Sequence, residues 1–161
     1  MQLARSGLSL WLFLAATSPC AAQSVRFTGV SVERYHRNEA RLTSVTVRRS
    51  DLGPRGFGID AALGLEPTYL QELLFNFDAG VARGFAAGPA TVMVKAGVAG
   101  FFAAQQVELY PGVQVGAAVL IPLQRRLELR TDLVRRRYWR DDGSALDMWS
   151  IGIGFAVRAG K

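Results

Sequence analysis

A two-residue alternation of large apolar side chains with small or polar ones recurs along most of this chain. It is clearest near the end, where five large apolar residues alternate with Ser150, Gly152, Gly154, Ala156 and Arg158: Trp149, Ile151, Ile153, Phe155 and Val157. Side chains of a β-strand point alternately to its two faces, whereas a helix would space its apolar residues at a period of 3.6. The pattern therefore predicts β-strands with one large apolar face.

Eight segments carry this alternation. We expect strands at about 25–36, 41–49, 56–65, 71–82, 91–102, 110–121, 126–139 and 148–158. Turn sequences follow the second, fourth and sixth strands, and the most polar connection, Arg140–Ser144, follows the seventh. An even number of antiparallel strands is typical of a single-chain barrel. The predicted fold class is all-β, an eight-stranded antiparallel up-and-down transmembrane β-barrel.

The first segment, residues 1–22, has the features of a signal peptide, which leaves residues 23–161 as a single barrel domain. Arg5 supplies a positive charge before the short apolar run Leu8–Ala16, and the small residues Cys20–Ala22 suit cleavage directly after them. The run is too short to span a bilayer, for which about 20 residues are needed. We therefore expect an exported chain.

The face opposite the large apolar residues distinguishes a membrane barrel from a soluble one. Glycine and alanine dominate this face, with a few charged residues, whereas a surface in water would carry many Lys, Glu, Thr and Ser. Small side chains fit the narrow interior of an eight-stranded barrel. The pattern favours a barrel whose apolar side chains face lipid. The alternative, a soluble secreted lipocalin-like ligand-binding barrel, would place Val113, Val115 and Val119 inside.

Tyrosine and tryptophan residues lie near the strand ends that we expect outside the cell, with the N-terminus in the periplasm. Their amphipathic rings prefer the interface between lipid and water. The sequence therefore predicts an aromatic girdle of six residues: Tyr35, Tyr69, Tyr110, Tyr138, Trp139 and Trp149.

The signal peptide, the eight alternating strands and the final strand with Trp149–Phe155 resemble the small outer-membrane β-barrels of the OmpA/OmpX type. The resemblance covers essentially the whole chain after residue 22 and rests on pattern. It implies a place in the outer membrane of a Gram-negative cell envelope and insertion by the outer-membrane assembly machinery. In that family the last strand usually ends with an aromatic residue, whereas six residues follow Phe155 here.

Charged residues on the small face predict a network inside the barrel lumen. They are Asp60, Asp78, Lys95, Glu128, Arg130 and Asp132. A buried charge is costly unless it is paired, so we expect ion pairs that fill the interior. The functional alternative is a narrow ion path, which would make the protein a small pore.

Arginines flank the first and last outer connections and predict a basic rim. They are Arg34, Arg37, Arg41, Arg135, Arg137 and Arg140. The first two and last two strands are neighbours in a closed barrel, so these side chains share one sector. Arginine matches phosphate bidentately, which makes lipopolysaccharide and outer-membrane lipid the expected partners. The alternative is a solvated charged rim. Nucleic acid is not expected for an exported chain, despite the net charge of +6.

Catalytic residues, cofactors and metal sites are not expected. One His and one Cys are too few for most metal sites. His36 with Ser144 and Asp141 or Asp142 could meet at the rim, as a lipid A-modifying enzyme would require. However, His36 lacks the His-x-Ser-Asn pattern of lipid A deacylases. We expect a structural or surface-interacting role without catalysis, in an oligomeric state that stays open.

Overall fold

The computed structural model is a closed barrel of eight antiparallel strands. It describes residues 25–37, 40–67, 73–103 and 108–160, with side chains in 25–34, 43–65, 74–102 and 109–159. The strands are β1 (Val25–Arg37), β2 (Ala40–Leu52), β3 (Phe57–Pro67), β4 (Leu73–Ala87), β5 (Ala90–Ala103), β6 (Glu108–Pro122), β7 (Leu127–Trp139) and β8 (Ala145–Gly160). Each strand pairs with its neighbours in sequence, and β1 pairs with β8 to close the barrel. In the described residues, no helix is long and apolar enough to cross a membrane.

The predicted fold class is confirmed, but several strands extend further than predicted. β2 continues to Leu52 and β4 to Ala87, because tight turns join β2 to β3 and β4 to β5. The first turn contains Gly56 at φ 77° and the second Gly88 at φ 60°, a backbone region that favours glycine. The predicted signal peptide lies outside the described residues. We call the end with these turns the turn end and the opposite end the loop end.

Large apolar side chains cover the outside of the barrel. Val81 and Ile151 are 66% and 62% exposed, whereas Gly152, the next residue in β8, is buried. Val113 and Val115 also point outward, so the lipocalin-like alternative is wrong. An apolar outer surface of this extent is stable in lipid, because the closed barrel satisfies the backbone hydrogen bonds of every strand.

The lumen is filled by three layers of side chains. An apolar turn-end plug contains Val25, Phe27, Leu52, Ala82, Met93, Ala118, Leu120 and Ala156. An apolar loop-end plug contains Ala99, Tyr138 and Met148, with Phe101, Tyr110 and Leu146 packed against them. Buried charged side chains occupy the space between the two plugs.

Glycines on the inner wall make room for these long charged side chains. A Cβ at Gly152 would lie 2.9 Å from Cγ of Glu33, and one at Gly116 would lie 3.2 Å from Cε of Lys95. Larger residues there would displace the charged groups. The small face in the sequence therefore reflects a lumen in which small residues leave space for a limited number of long charged side chains.

Candidate functional site

Eight charged side chains form the middle layer of the lumen, which we call the lumen network. Four are acidic and four are basic, and each is at most 3% exposed: Glu33, Arg48, Asp60, Asp78, Lys95, Arg130, Asp132 and Arg136. Their formal charges balance. Such a set is stable in a narrow lumen only if nearly every charge has a close partner.

Arg48 on β2 lies at the centre of the lumen network. Its Nη1 donates to Oδ2 of Asp60 at 2.7 Å, and its Nη2 donates to Oε1 of Glu33 at 2.9 Å and to Oδ2 of Asp78 at 3.2 Å. Its Nε lies 3.7 Å from Oδ1 of Asp132. One guanidinium therefore joins carboxylates from β1, β3, β4 and β7.

Arg136 on β7 forms the second junction, nearer the loop end. It donates from Nε to Oδ1 of Asp78 at 2.9 Å and from Nη2 to Oδ2 at 2.6 Å. The same Nη2 contacts Oε2 of Glu33 at 3.1 Å, and Nη1 donates to Ser150 Oγ at 2.6 Å. Charge-assisted bidentate pairs of this kind are among the stronger hydrogen bonds in proteins.

Lys95 and Arg130 complete the lumen network toward the turn end. Lys95 Nζ contacts Oδ1 of Asp132 and lies 3.6 Å from Oδ2 of Asp60. Arg130 donates from Nε to Oδ2 of Asp132 at 2.7 Å and from Nη2 to Oδ1 of Asp60 at 3.2 Å. Its Nη1 also donates to Ser50 Oγ at 2.9 Å. Asp60 and Asp132 therefore each contact several cations.

The structure brings five of the six predicted lumen residues into this network and separates the sixth. Glu128 lies apart, 3.4 Å from Nη1 of Arg158. Glu33, Arg48 and Arg136 are missing from the predicted network, although the alternation places each of them inward. Val32 and Val47 are exposed next to Glu33 and Arg48 in the chain, so their neighbours in the strand face the lumen.

The filled lumen argues against the alternative that the protein is a small pore. A pore requires a continuous wet path past Asp78, Lys95 and Glu128, and these side chains are 2%, 3% and 2% exposed. All three are held in ion pairs, and an apolar plug lies at each end of the lumen network. This packing favours the structural interpretation of the lumen charges.

Two of the predicted rim arginines form an ion-pair cluster on the outer wall near the loop end. Arg135 Nη2 lies 3.4 Å from Oδ1 of Asp147, and Arg137 Nη1 lies 3.9 Å from Oδ2 of the same carboxylate. The guanidinium of Arg135 also lies over Trp149, 5.5 Å from its ring centroid. We call Arg135, Asp147 and Arg137 the loop-end triad. A surface depression of about 270 Å³ lies beside it.

The other rim arginines have different positions. Arg34 is exposed on β1, and Arg140 is exposed in the connection that follows β7. The side chains of Arg37 and Arg41 lie outside the described residues. The strands that carry these positions are contiguous, in the order β2, β1, β8 and β7.

The aromatic girdle is only partly present among the described side chains. Trp139 and Trp149 are 40% and 47% exposed on the outer wall. The prediction was wrong for Tyr138 and Tyr110, which belong to the loop-end plug; their rings lie 6.0 and 6.1 Å from that of Phe101. Their strand positions share the inward phase of Arg136 and Gly112. The side chains of Tyr35 and Tyr69 lie outside the described residues.

The residues considered for catalysis do not define a site. The side chain of His36 lies outside the described residues, so the absence of catalysis stays a prediction. Ser144 instead stabilises its own turn. Its backbone N–H donates to Oδ1 of Asp142 at 2.8 Å, and hydrogen bonds from the Ser144 hydroxyl and backbone lower the pKa of Asp142. Within the described part of the chain, no group of three or more His, Cys, Asp or Glu could hold a metal ion.

Comparison with known proteins identifies the architecture. No family model and no curated protein sequence matches the chain. Neisserial surface protein A superimposes with a TM-score of 0.59 at 11% identity, covering 84% of this chain and 96% of that one. OprG from Pseudomonas aeruginosa gives 0.59 at 8% identity, covering 89% and 99%. The chain has the fold of the small outer-membrane β-barrels.

A de novo designed transmembrane β-barrel also shares this small-barrel fold, with a TM-score of 0.51, 15% identity, and coverage of 84% of this chain and 95% of the design. At such identities the likeness shows the fold alone. Any activity has to be argued from this chain's own side chains.

Proposed function

We propose that the protein is an integral outer-membrane barrel with a structural or surface-interaction role, and that the loop-end triad contacts lipopolysaccharide phosphates. The observation that carries the proposal is the pair of exposed arginines on β7 that share the carboxylate of Asp147 on the outer wall near the loop end. The filled lumen supports a role without transport. The fold shared with Neisserial surface protein A and OprG supports the outer-membrane location.

The chemistry of the loop-end triad suits an anionic lipid. Two guanidiniums share one carboxylate, so the triad keeps one net positive charge. The side chains of Arg135 and Arg137 are 49% and 52% exposed, which leaves N–H groups available to a ligand. A phosphate accepts two parallel hydrogen bonds from one guanidinium. The ring of Trp149 lies against Arg135, and the preference of indole for the membrane interface, where an outward arginine costs little, supports a position of the cluster there.

The connections between strands at the loop end are short. The strands there are separated by only two to five residues. With connections of this length, we take the upper wall as the surface that a partner contacts. Lipid A, whose phosphates lie at the membrane surface, fits such a wall better than a partner that needs long loops.

The test compares phosphorylated and dephosphorylated lipid A. The protein is purified in mixed micelles and titrated with each lipid, and binding is followed by Trp149 emission with Trp139→Phe to remove the second signal. We expect the phosphorylated lipid to bind at least about tenfold more tightly, because bidentate phosphate contacts are charge-assisted. Arg135→Gln with Arg137→Gln should abolish this preference, whereas Arg83→Gln at the turn end should retain it. Equal binding of both lipids by the unsubstituted triad would contradict the proposal.

A further inference from the structure

On β1 the stretch of uncharged outward residues between charged ones, measured along the membrane normal, is short. The exposed arginines Arg26 and Arg34 lie eight residues apart on its outward face, with Thr28, Val30 and Val32 between them. At a rise of about 3.3 Å per residue and a tilt of about 40°, their Cα atoms are about 20 Å apart along the membrane normal. A typical outer-membrane barrel has an apolar band of about 25 Å.

The opposite side of the barrel is wider. β5 lies four strands from β1, and its outward residues from Val92 to Phe102 are uncharged. On β6 the uncharged outward residues extend from Leu109 to Ile121. The same geometry gives about 25 Å on β5 and about 30 Å on β6. Even when the two arginines are counted in the width on β1, the apolar band is about 10 Å wider on β6.

A second ion-pair cluster marks the lower edge of the narrow side. Arg26 Nε lies 2.7 Å from Oδ1 of Asp51, and Arg49 Nη2 lies 2.9 Å from Oδ2 of the same residue. We call this cluster, on β1 and β2, the turn-end triad. It has the composition of the loop-end triad on β7 and β8, two arginines and one aspartate, and it also keeps one net positive charge.

Exposed arginines bound the apolar stretch on β1, β2 and β7, and β8, whose outward residues are uncharged from Trp149 to Ala159, lies between β7 and β1. We call these four contiguous strands the narrow sector. The loop-end triad and Arg34 lie at its upper edge, and the turn-end triad lies at its lower edge. On β7 the exposed Arg135 ends the apolar stretch toward the loop end, and the exposed Arg126 lies in the turn directly before Leu127. Outward arginines thus face both membrane surfaces on the same group of strands.

We propose that the narrow sector binds lipid phosphates of both leaflets at once and thereby holds the bilayer thinner there than against β5 and β6. An arginine below the lipid headgroups must either extend toward water or be met by headgroups that move toward it. Asp51 is the cross-strand partner of Arg26, and Asp147 that of Arg137. These cross-strand ion pairs hold the arginine side chains along the wall and keep them from extending toward water. The lipid headgroups therefore move toward the arginines.

This inference does not depend on lipopolysaccharide, because phospholipids present the same phosphate chemistry. Bilayers of phosphatidylcholine and phosphatidylglycerol without lipopolysaccharide therefore test it separately from the proposed function. If thinning occurs only after lipid A is added, its phosphates are the specific ligand and the general form of the inference is wrong.

The experiment measures the depth of two matched spin labels in such bilayers. Val30 and Val115 are the midpoints of the two apolar stretches and are 53% and 57% exposed. Each is replaced by cysteine in a Cys20→Ser background, labelled, and measured by its relative accessibility to oxygen and to a water-soluble nickel chelate. We expect the label at 30 to lie about 5 Å shallower than the label at 115, half the difference in apolar width. If the labels at 30 and 115 lie at equal depths, the inference is wrong, and this result needs no arginine substitution.

Arginine substitutions then test the cause. Arg26→Leu with Arg34→Leu should move the label at 30 several ångströms deeper, toward the depth of the label at 115. Arg83→Leu is the control, since Arg83 is exposed on β4, outside the narrow sector. It should leave the label at 30 in place. An unchanged depth in the folded double variant would show that these arginines do not set the local thickness.

Discussion

Arg136 on β7 and Asp78 on β4 meet inside the lumen through two parallel hydrogen bonds, with Nε–Oδ1 at 2.9 Å and Nη2–Oδ2 at 2.6 Å. The two strands are not neighbours in the sheet, so this pair connects walls that backbone hydrogen bonds do not join. Both side chains are at most 2% exposed. The lumen network thus performs the function that apolar packing has in a soluble core: it fixes which side chains meet across the interior.

Removing one carboxylate from this network should destabilise the barrel strongly. Asp78→Asn leaves Arg136 and Arg48 with one fewer anionic partner in a sealed lumen, and breaking a buried pair costs about 3–5 kcal/mol. The free energy of unfolding is measured by urea titration of the barrel in lipid bilayers. Asp147→Asn breaks an exposed ion pair on the outer wall and should change stability by about 1 kcal/mol or less. Equal effects of the two substitutions would contradict a sealed lumen network.

Replacing both partners should recover part of this loss. Asp78→Asn with Arg136→Met keeps the formal charge of the lumen network balanced and leaves no guanidinium without its bidentate partner. Neighbouring groups in one network typically couple by about 0.5–3 kcal/mol. We expect the double variant to be more stable than the sum of the two single effects predicts. Strict additivity in a double-mutant cycle would mean that the two side chains do not interact in the folded barrel.

The filled lumen also predicts a barrel that does not conduct. Phe27 in the turn-end plug and Tyr138 in the loop-end plug are 0% exposed, and the charged layer lies between them. Planar bilayers that contain the purified protein should show no discrete current steps, while a porin inserted under the same conditions does. Reproducible steps that shift when Lys95 is replaced by glutamine would restore the pore alternative.

The alternation in sequence was sufficient for the fold because a barrel needs only two distinct faces and an even number of strands. It was insufficient for the lumen, where partners such as Arg48 and Glu33 come from different strands. Which inward side chains meet depends on the stagger between strands, and no local pattern specifies this. The prediction for Tyr138 was wrong for a different reason. Tyrosine is typical of the membrane interface, but the position of Tyr138 in the alternation of β7 directs its side chain into the lumen. At a barrel end, the position of a residue in the strand alternation therefore predicts whether its side chain faces the lumen or lipid better than its residue type does.

The orientation of β8 provides the most direct test of the membrane assignment. Ile151 and Ile153 are 62% and 57% exposed on the outer wall, and Gly152 between them is buried. With Cys20→Ser in place, a fluorophore on cysteine at 151 or 153 should be quenched strongly by lipids with a quencher in the acyl chain. A fluorophore at 152 should be quenched much less, provided that the variant still folds, because a Cβ there lies 2.9 Å from Cγ of Glu33. Ser150, buried on the same inward face, is the alternative site if position 152 tolerates no label. Weak quenching at 151 and 153 together would place these residues away from lipid and contradict the transmembrane barrel.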